Sequence, residues 1–483
     1  MISAAEARSA IDTAEEAFQK CWETLAVMKC GPVPSGFGEL ILAFQPTLAG
    51  ALFRLDGFYR RLAEEKRKTI ARKPQIEPEL FIAQMREFEA FRDSIKSALE
   101  VGRSIGDAFA WFFYRKSQSS IAKHLQRQSI PHTPPGVGGQ GELAFLDKLR
   151  YADCVAIYHG VTSFLRIGDV SFLDLRSGDV IALGELKTRK LNAGQATVTL
   201  HMIGTDGKRI PFTRLPVARG ALPLERPEPR KDMADRLERQ IRKMRDALRT
   251  GHEDPPPGIP EEFFDVNDLY GGFQIGALKK LADSLDTTDV AYEKVGNGLL
   301  LIGLNVLPNG SLAERLFGAK EVDFKARLEN VVEHAVRLVH FKSADNQMRF
   351  GEISTKFLSG CAPPFWWPID IRFLRKLYFQ SLLIPTLYNP AHILERFKEL
   401  GFVVTRSEDG STYQMERFSP PDRRVVLEHS NWFLAAIQGH LMKEEKVIEC
   451  VLGIVEKMEQ GQLPPNTKVQ IVINTGIFPD DTR

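Results

Sequence analysis

Two short segments, Ile167-Gly168-Asp169-Val170 and Gly184-Glu185-Leu186-Lys187, decide how the middle of the chain is read. They sit in two apolar, strand-like runs, Phe164 to Leu175 and Val180 to Leu186, separated by the turn Arg176-Ser177-Gly178-Asp179. In a hairpin, side chains alternate between faces, so Glu185 and Lys187 point one way and Leu186 the other. Asp169 lies on the adjacent run. Charges in such strands are expensive unless they are paired or hold a metal. Two carboxylates and one ammonium are therefore expected to converge here. The plain alternative is a hairpin whose exposed face carries all three as solvated charges.

A bare Glu-x-Lys triplet carries no weight, since charged triplets are common. An apolar strand, an upstream Gly-Asp-Val on another strand and a turn between them carry more. In that context the pattern resembles the PD-(D/E)XK nuclease superfamily, the restriction-endonuclease-like fold, over roughly the middle third of the chain. Asp169 matches the family's first acid, and Glu185-Leu186-Lys187 matches its acid-x-lysine element. One letter departs: Gly168 stands where the family's variable proline precedes the acid. The resemblance implies that Asp169 and Glu185 hold Mg²⁺ (or Mn²⁺). It also implies that Lys187 orients an attacking water and offsets charge on the phosphorane. The chemistry suits those residue types. Mg²⁺ prefers hard oxygen ligands and retains several waters. It polarises a phosphoryl oxygen and acidifies bound water, and a nearby ammonium stabilises developing negative charge.

The whole chain has 483 residues, enough for about two to four domains. Hydrophobic content of 43% supports real cores, and a net charge of +2 means that any nucleic-acid surface must be local. Cys21, Cys30, Cys154, Cys361 and Cys450 are widely spaced and include no Cys-x-x-Cys. That argues against a disulfide framework or structural zinc, and for a reducing cytoplasm. The amino terminus lacks a signal-peptide apolar core, and no run is long and apolar enough for a bilayer, so no membrane partner is expected.

Residues 1–130 read as a helical domain. Leu48, Leu52, Leu55, Tyr59 and Leu62 recur at helical spacing, as do Phe81, Met85, Phe88, Ile95 and Leu99 beyond the linker Arg72–Pro78. Its expected role is scaffold or oligomerisation, with Trp111 buried. Pro131 to Gly141 marks a boundary loop. Gly136, Gly138 and Gly141 match G-x-G-x-x-G, but no strand feeds into them, so a dinucleotide site is rejected. Glu142 to Arg150 reads as a helix with Glu142 on the face of Phe145, Leu146 and Leu149. Glu142 either faces the metal cleft, as an acid on the corresponding helix often does in the resembled family, or stabilises the helix dipole. Asp153 to Tyr158 reads as the first strand, and Ala196 to Phe212 as a hairpin turning at Thr205–Lys208.

Met233, Leu237, Ile241, Met244 and Leu248 form a helical stripe. Gln240 borders it; some branches of the family place a glutamine there, facing the active site, while local satisfaction is the plain alternative. Arg236, Arg239, Arg242 and Lys243 on that helix are the candidate nucleic-acid surface. Interleaved Asp232, Asp235, Glu238 and Asp246 also fit a solvated face. Tyr292 to Val295 and Leu299 to Val306 form a hairpin that would complete the nuclease sheet. Beyond it, Ser311 with Glu314 suggests a capping box, and Phe324 to Phe341 a helix. Phe402–Thr405 with Thr412–Met415 suggests a hairpin, Val469–Ile473 a late strand, and Pro363–Pro368 a buried tryptophan plug. His124, His132 and His159 are isolated, His334 and His340 lack metal-ligand spacing and read as ordinary surface or core histidines, and no serine-hydrolase elbow, Walker loop or zincin motif is present.

The expected fold is thus an α/β multidomain chain. An N-terminal helical bundle precedes a central restriction-endonuclease-like core with a mixed sheet over 131–310. An α+β domain over 311–483, for target or partner recognition, follows. The expected activity is Mg²⁺-dependent hydrolysis of nucleic acid, most readily DNA. The architecture suggests prokaryotic restriction or anti-phage defence, with a homo-oligomer or a partner defence protein. The alternative is a catalytically inactive nuclease-fold protein that binds nucleic acid or a partner protein.

Overall fold

The computed structural model describes residues 2–30, 37–125, 137–146, 154–190, 196–210, 214–216, 231–248, 261–266, 272–318, 333, 336–340, 347–356, 362–407, 412–419, 423–427, 432–463 and 468–473. The amino-terminal third is helical: α1 (Ala4–Cys30), α2 (Phe37–Ala71), α3 (Pro78–Tyr114) and α4 (Gln118–Leu125). Pro78 opens α3, where its missing N–H costs nothing. Buried Leu48, Leu52, Leu55 and Leu62 of α2 face buried Phe88, Ile95 and Leu99 of α3, so the expected helical stripes do form the bundle core. Trp111 is fully buried, as expected.

Helix α5 (Val137–Leu146) leads into β1 (Cys154–Tyr158), β2 (Val170–Asp174), β3 (Val180–Lys190), β4 (Ala196–Gly204), β5 (Arg209–Ile210) and β6 (Arg214–Pro216). These strands make one sheet in the order β1-β2-β3-β4-β5, with β6 also on β4, and every pair is antiparallel. A mixed sheet is therefore not what the described residues form. The reason is local: β2–β3 and β3–β4 are joined by short connections, and even the longer 159–169 loop between β1 and β2 falls short of the crossover of about a dozen residues or more that a parallel pair needs. Helix α5 begins within the glycine segment that reads from sequence as a boundary loop. Glycine suits this helix because it lies against the sheet. A Cβ on Gly141 would come within 2.4 Å of the Thr188 side chain and 2.9 Å of Val198. Helix α6 (Lys231–Leu248) packs on β3 and β4 and buries Ile241, Met244 and Leu248.

After α6 come β7 (Glu261–Val266), α7 (Gly276–Leu285), β8 (Val290–Val295), β9 (Leu299–Asn305), α8 (Leu312–Gly318), β10 (Arg349–Glu352), β11 (Leu382–Leu383), β12 (Pro385–Tyr388), β13 (Phe402–Arg406), β14 (Tyr413–Ser419), β15 (Arg423–Leu427) and β16 (Lys468–Ile473). The β8–β9 hairpin forms as expected but does not complete the first sheet. It belongs to a second sheet, ordered β10-β12-β9-β11 with β8 on β9. Leu299 to Leu304 is buried at every position; α7, through Leu281 and Leu285, covers one face at Gly303, and Val339 packs with Leu300, Ile302 and Leu304. The strand after α6, β7, pairs in parallel with β16 instead. The capping box at α8 is present: Ser311 N donates to Glu314 Oε2 at 2.7 Å and Glu314 N donates to Ser311 Oγ at 3.2 Å. The β13–β14 hairpin also forms, whereas the segment expected as a helix over Phe324–Phe341 falls mostly outside the described residues.

One apolar core runs from the helical bundle through the first sheet into the carboxyl-terminal part. Trp22 of α1 meets Phe365, Tyr378 and Phe379, and Trp366 Nε1 donates to Ala108 O of α3 at 2.9 Å. Trp366 and Trp367 are fully buried, so the tandem tryptophans plug a core.

Candidate active site: an acidic cluster at the β2–β3 end

Asp169 does not lie within the strand, as the apolar run from Phe164 suggests. It occupies the bend immediately before β2, and residues 164–169 are not strand. Gly168 has φ +73°, a conformation closed to proline, whose ring fixes φ near about −65°. A Cβ there would also come within 2.8 Å of Gly184 O. The glycine that departs from the resembled motif thus has its own backbone reason.

The bend is tied to β3. Asp169 N donates to Gly184 O at 2.8 Å, and its carboxylate Oδ2 accepts from Leu186 N at 2.7 Å. His159 N donates to Asp169 O at 2.8 Å. The Asp169 carboxylate is therefore held against the backbone between Glu185 and Lys187. Glu185 is only 5% exposed, and Lys187 Nζ pairs with Glu185 Oε1. Both lie on one face of β3, as alternation requires.

Glu142 enters from α5 and is 8% exposed. The Tyr158 hydroxyl of β1 donates to Glu142 Oε2. Burial pushes the Glu142 carboxyl up to about 7, against the lowering effect of the Tyr158 bond, and the Glu185 charge adds to the rise. Burial also pushes Asp169 well above the usual carboxylate range, reinforced by Glu185 and then Glu142. These couplings show three acids sharing one electrostatic environment with Lys187. His201 lies directly across from Glu185 in the β3–β4 register, and burial, then the Lys187 charge, lowers its pKa.

Sequence reasoning missed Tyr158 and His201. Tyr158 is the last residue of the first strand and meets Glu142 only through folding. His201 is visible only once the β3–β4 register is known. The reading of His124 and His159 as isolated is also overturned: both are buried, with ring centroids 5.2 Å apart. His340 is exposed, while His132 and His334 lie outside the described residues.

Gln240 is half-buried on α6, and no hydrogen bond among the described residues joins it to the acids. The α6 side chain beside the Asp169 bend is Met244, whose sulfur would lie 3.1 Å from a Cβ on Gly168. Arg239, Arg242 and Lys243 are exposed on α6, interleaved with exposed Asp235, Glu238 and Asp246; the Arg236 side chain lies outside the described residues. Arg209 pairs with Glu238, and Arg245 Nε donates to Gly207 O at 3.0 Å.

Among the described residues, no three His, Cys, Asp or Glu side chains are grouped closely enough to hold a metal ion between them. No helix among them is long and apolar enough to cross a membrane. Compared with family models, with curated proteins and with solved structures, the chain matches none.

Proposed function

We propose that the chain is a metal-dependent phosphodiesterase that hydrolyses nucleic acid, DNA in the first instance, with Asp169 and Glu185 as ligands to Mg²⁺ or Mn²⁺. The observation that carries this reading is the gathering of three carboxyl groups around one lysine. Glu142 and Glu185 are buried and Asp169 is half-buried, the three influence one another electrostatically, and Lys187 pairs with Glu185. Buried charges are ordinarily paired or metal-bound. The raised pKa values of Glu142 and Asp169 mark carboxyls whose ionised forms are costly as the chain stands, and a divalent cation would offset that cost.

The donor set fits such an ion. It is all oxygen, and Mg²⁺ is commonly held by one or two carboxylates with water and phosphate completing its shell. When bound, the ion supplies Lewis acidity toward a phosphoryl oxygen and acidifies water. The rest is done by the chain. Leu186 N fixes the direction of the Asp169 carboxylate. The Tyr158 hydroxyl orients Glu142, the auxiliary acid. The Lys187 ammonium, partly exposed beside Glu185, offsets negative charge as a phosphorane forms. Arg239, Arg242 and Lys243, exposed on α6, would contact phosphates outside the reacting group. Gln240 has no supporting contact among the described residues and is not given a role.

The test is a digestion panel of plasmid and single-stranded oligonucleotides with and without Mg²⁺. Cleavage is expected to require the metal and to vanish in Glu185→Ala and in Lys187→Ala, with circular dichroism and melting unchanged. Undiminished cutting by either variant discards the assignment. Metal-independent binding without cleavage favours an inactive nuclease-fold binding protein instead.

A further inference from the structure

The loop that delivers Asp169, residues 159–168, is held mainly by side chains from the amino-terminal helices. From α2, Gln45 Nε2 donates to Ala156 O at 2.7 Å and Gln45 Oε1 accepts from Tyr158 N at 2.7 Å, which satisfies the free edge of β1. From α3, the Asp107 carboxylate accepts from Ser163 N at 2.7 Å and from Ser163 Oγ at 2.6 Å. From α4, His124 Nδ1 accepts from both Arg166 N, at 2.9 Å, and Ile167 N, at 3.0 Å. A further relay ends at the residue before the acid. Tyr114 OH of α3 donates to Ser171 Oγ, which lies 2.5 Å from His159 Nε2, while His159 Nδ1 lies 2.9 Å from Gly168 O. A carbonyl only accepts, so Nδ1 carries the proton and Nε2 accepts from Ser171.

Apolar packing reinforces these bonds. Phe164 and Leu165 are fully buried, and Phe164 lies edge-on to Trp111 of α3. Gly106 of α3 lets the turn approach so closely that a Cβ would fall 1.9 Å from Val161 O. Buried backbone groups need partners, and in this loop three of the amides are met by Asp107 and His124 rather than by the loop itself.

We infer that the helical region is part of the active site's scaffold, with His124, Asp107 and Tyr114 as positioning residues that fix the bend bearing Asp169. The geometry stands by itself; its consequence for metal binding rests on the nuclease reading. This sharpens the scaffold role expected from the helical pattern, because the helices act on one identifiable residue.

The test uses the full chain. His124→Phe keeps a ring but removes the acceptor, whereas His124→Asn places an oxygen near the position of Nδ1. Tyr114→Phe, which removes only the hydroxyl, serves if His124→Phe does not fold. Amide hydrogen exchange without metal is measured over 160–170, alongside Mn²⁺ affinity by calorimetry. Exchange in His124→Phe is expected to accelerate by on the order of tenfold at Arg166 and Ile167, the size expected for lost buried acceptors. Exchange in α1 should stay unchanged, Mn²⁺ binding should weaken, and His124→Asn should recover both. Unchanged loop exchange, or accelerated exchange with unaltered Mn²⁺ affinity, overturns the inference. Should the wild-type chain bind no Mn²⁺, the nuclease reading falls, while the exchange data still decide whether the helices position the loop.

Discussion

Asp107→Asn tests the clamp through its pH dependence. The Asp107 side chain is 1% exposed. Burial raises its pKa from 3.8 to about 7, although both Ser163 bonds and the Arg103 and Arg166 charges oppose the rise. A raised carboxyl binds its proton more tightly in the folded chain than in the unfolded one. Folding is therefore favoured most, with respect to this group, below its unfolded pKa. The advantage disappears as pH climbs toward the folded value, and above it the buried charge opposes folding in full. A shift of about 3 units at about 1.36 kcal/mol each gives a swing of about 4 kcal/mol across that window. Asparagine retains an acceptor for Ser163 N and cannot ionise. Unfolding midpoints of wild type and Asp107→Asn in guanidinium, taken from about pH 4 to about pH 8, isolate the effect because every other titrating group cancels in the difference. The variant should be slightly less stable at the acid end, where one carboxyl oxygen that accepts from Ser163 becomes an amide nitrogen, and gain on wild type by several kcal/mol toward the alkaline end. A stability difference that does not change with pH would show that Asp107 is not a buried acid and refute the reasoning.

Three further outcomes are expected. Saturating Mn²⁺ should stabilise the wild type by about 2.7 kcal/mol at a hundredfold excess over Kd, and not Asp169→Asn, as read by thermal melting; equal shifts in both proteins would remove Asp169 from the ligand set. Gly141→Ala forces a methyl against Thr188 of β3, whose short branched side chain cannot swing aside, and should cost about 1–3 kcal/mol, partly restored by Thr188→Ala. Replacing Arg239, Arg242 and Lys243 by Gln should weaken nucleic-acid binding evenly across sequences and lower the slope of log K against log salt by up to about 3, whereas an unchanged slope assigns those cations to a solvated face.

Much of the secondary structure is legible in the chain because it depends on local periodicity. The stripes of Leu48–Leu62 and Met233–Leu248, the Ser311–Glu314 box, and the turns at Arg176 and Thr205 each state their own element. So does the placement of Glu185 and Lys187 on one face, which follows from the pleat alone. The sequence also singled out Asp169 and Glu142, since an acid among apolar neighbours is conspicuous in one dimension.

Tertiary structure decided the partners. Asp169 belongs to a bend and not a strand because Gly168 turns the backbone through a conformation that hydrophobicity does not report. The β8–β9 hairpin joined a second sheet because the ladder partners of β9 come from residues 382–388, far along the chain. Tyr158 reached Glu142 through packing of α5 on the sheet, and His124 reached the Arg166 and Ile167 amides through packing of α4 on α3 and α6. Hydrogen bonds between distant segments leave no local trace in a sequence, so residues that look isolated along the chain become the scaffold of the site once the bundle and the first sheet share a core.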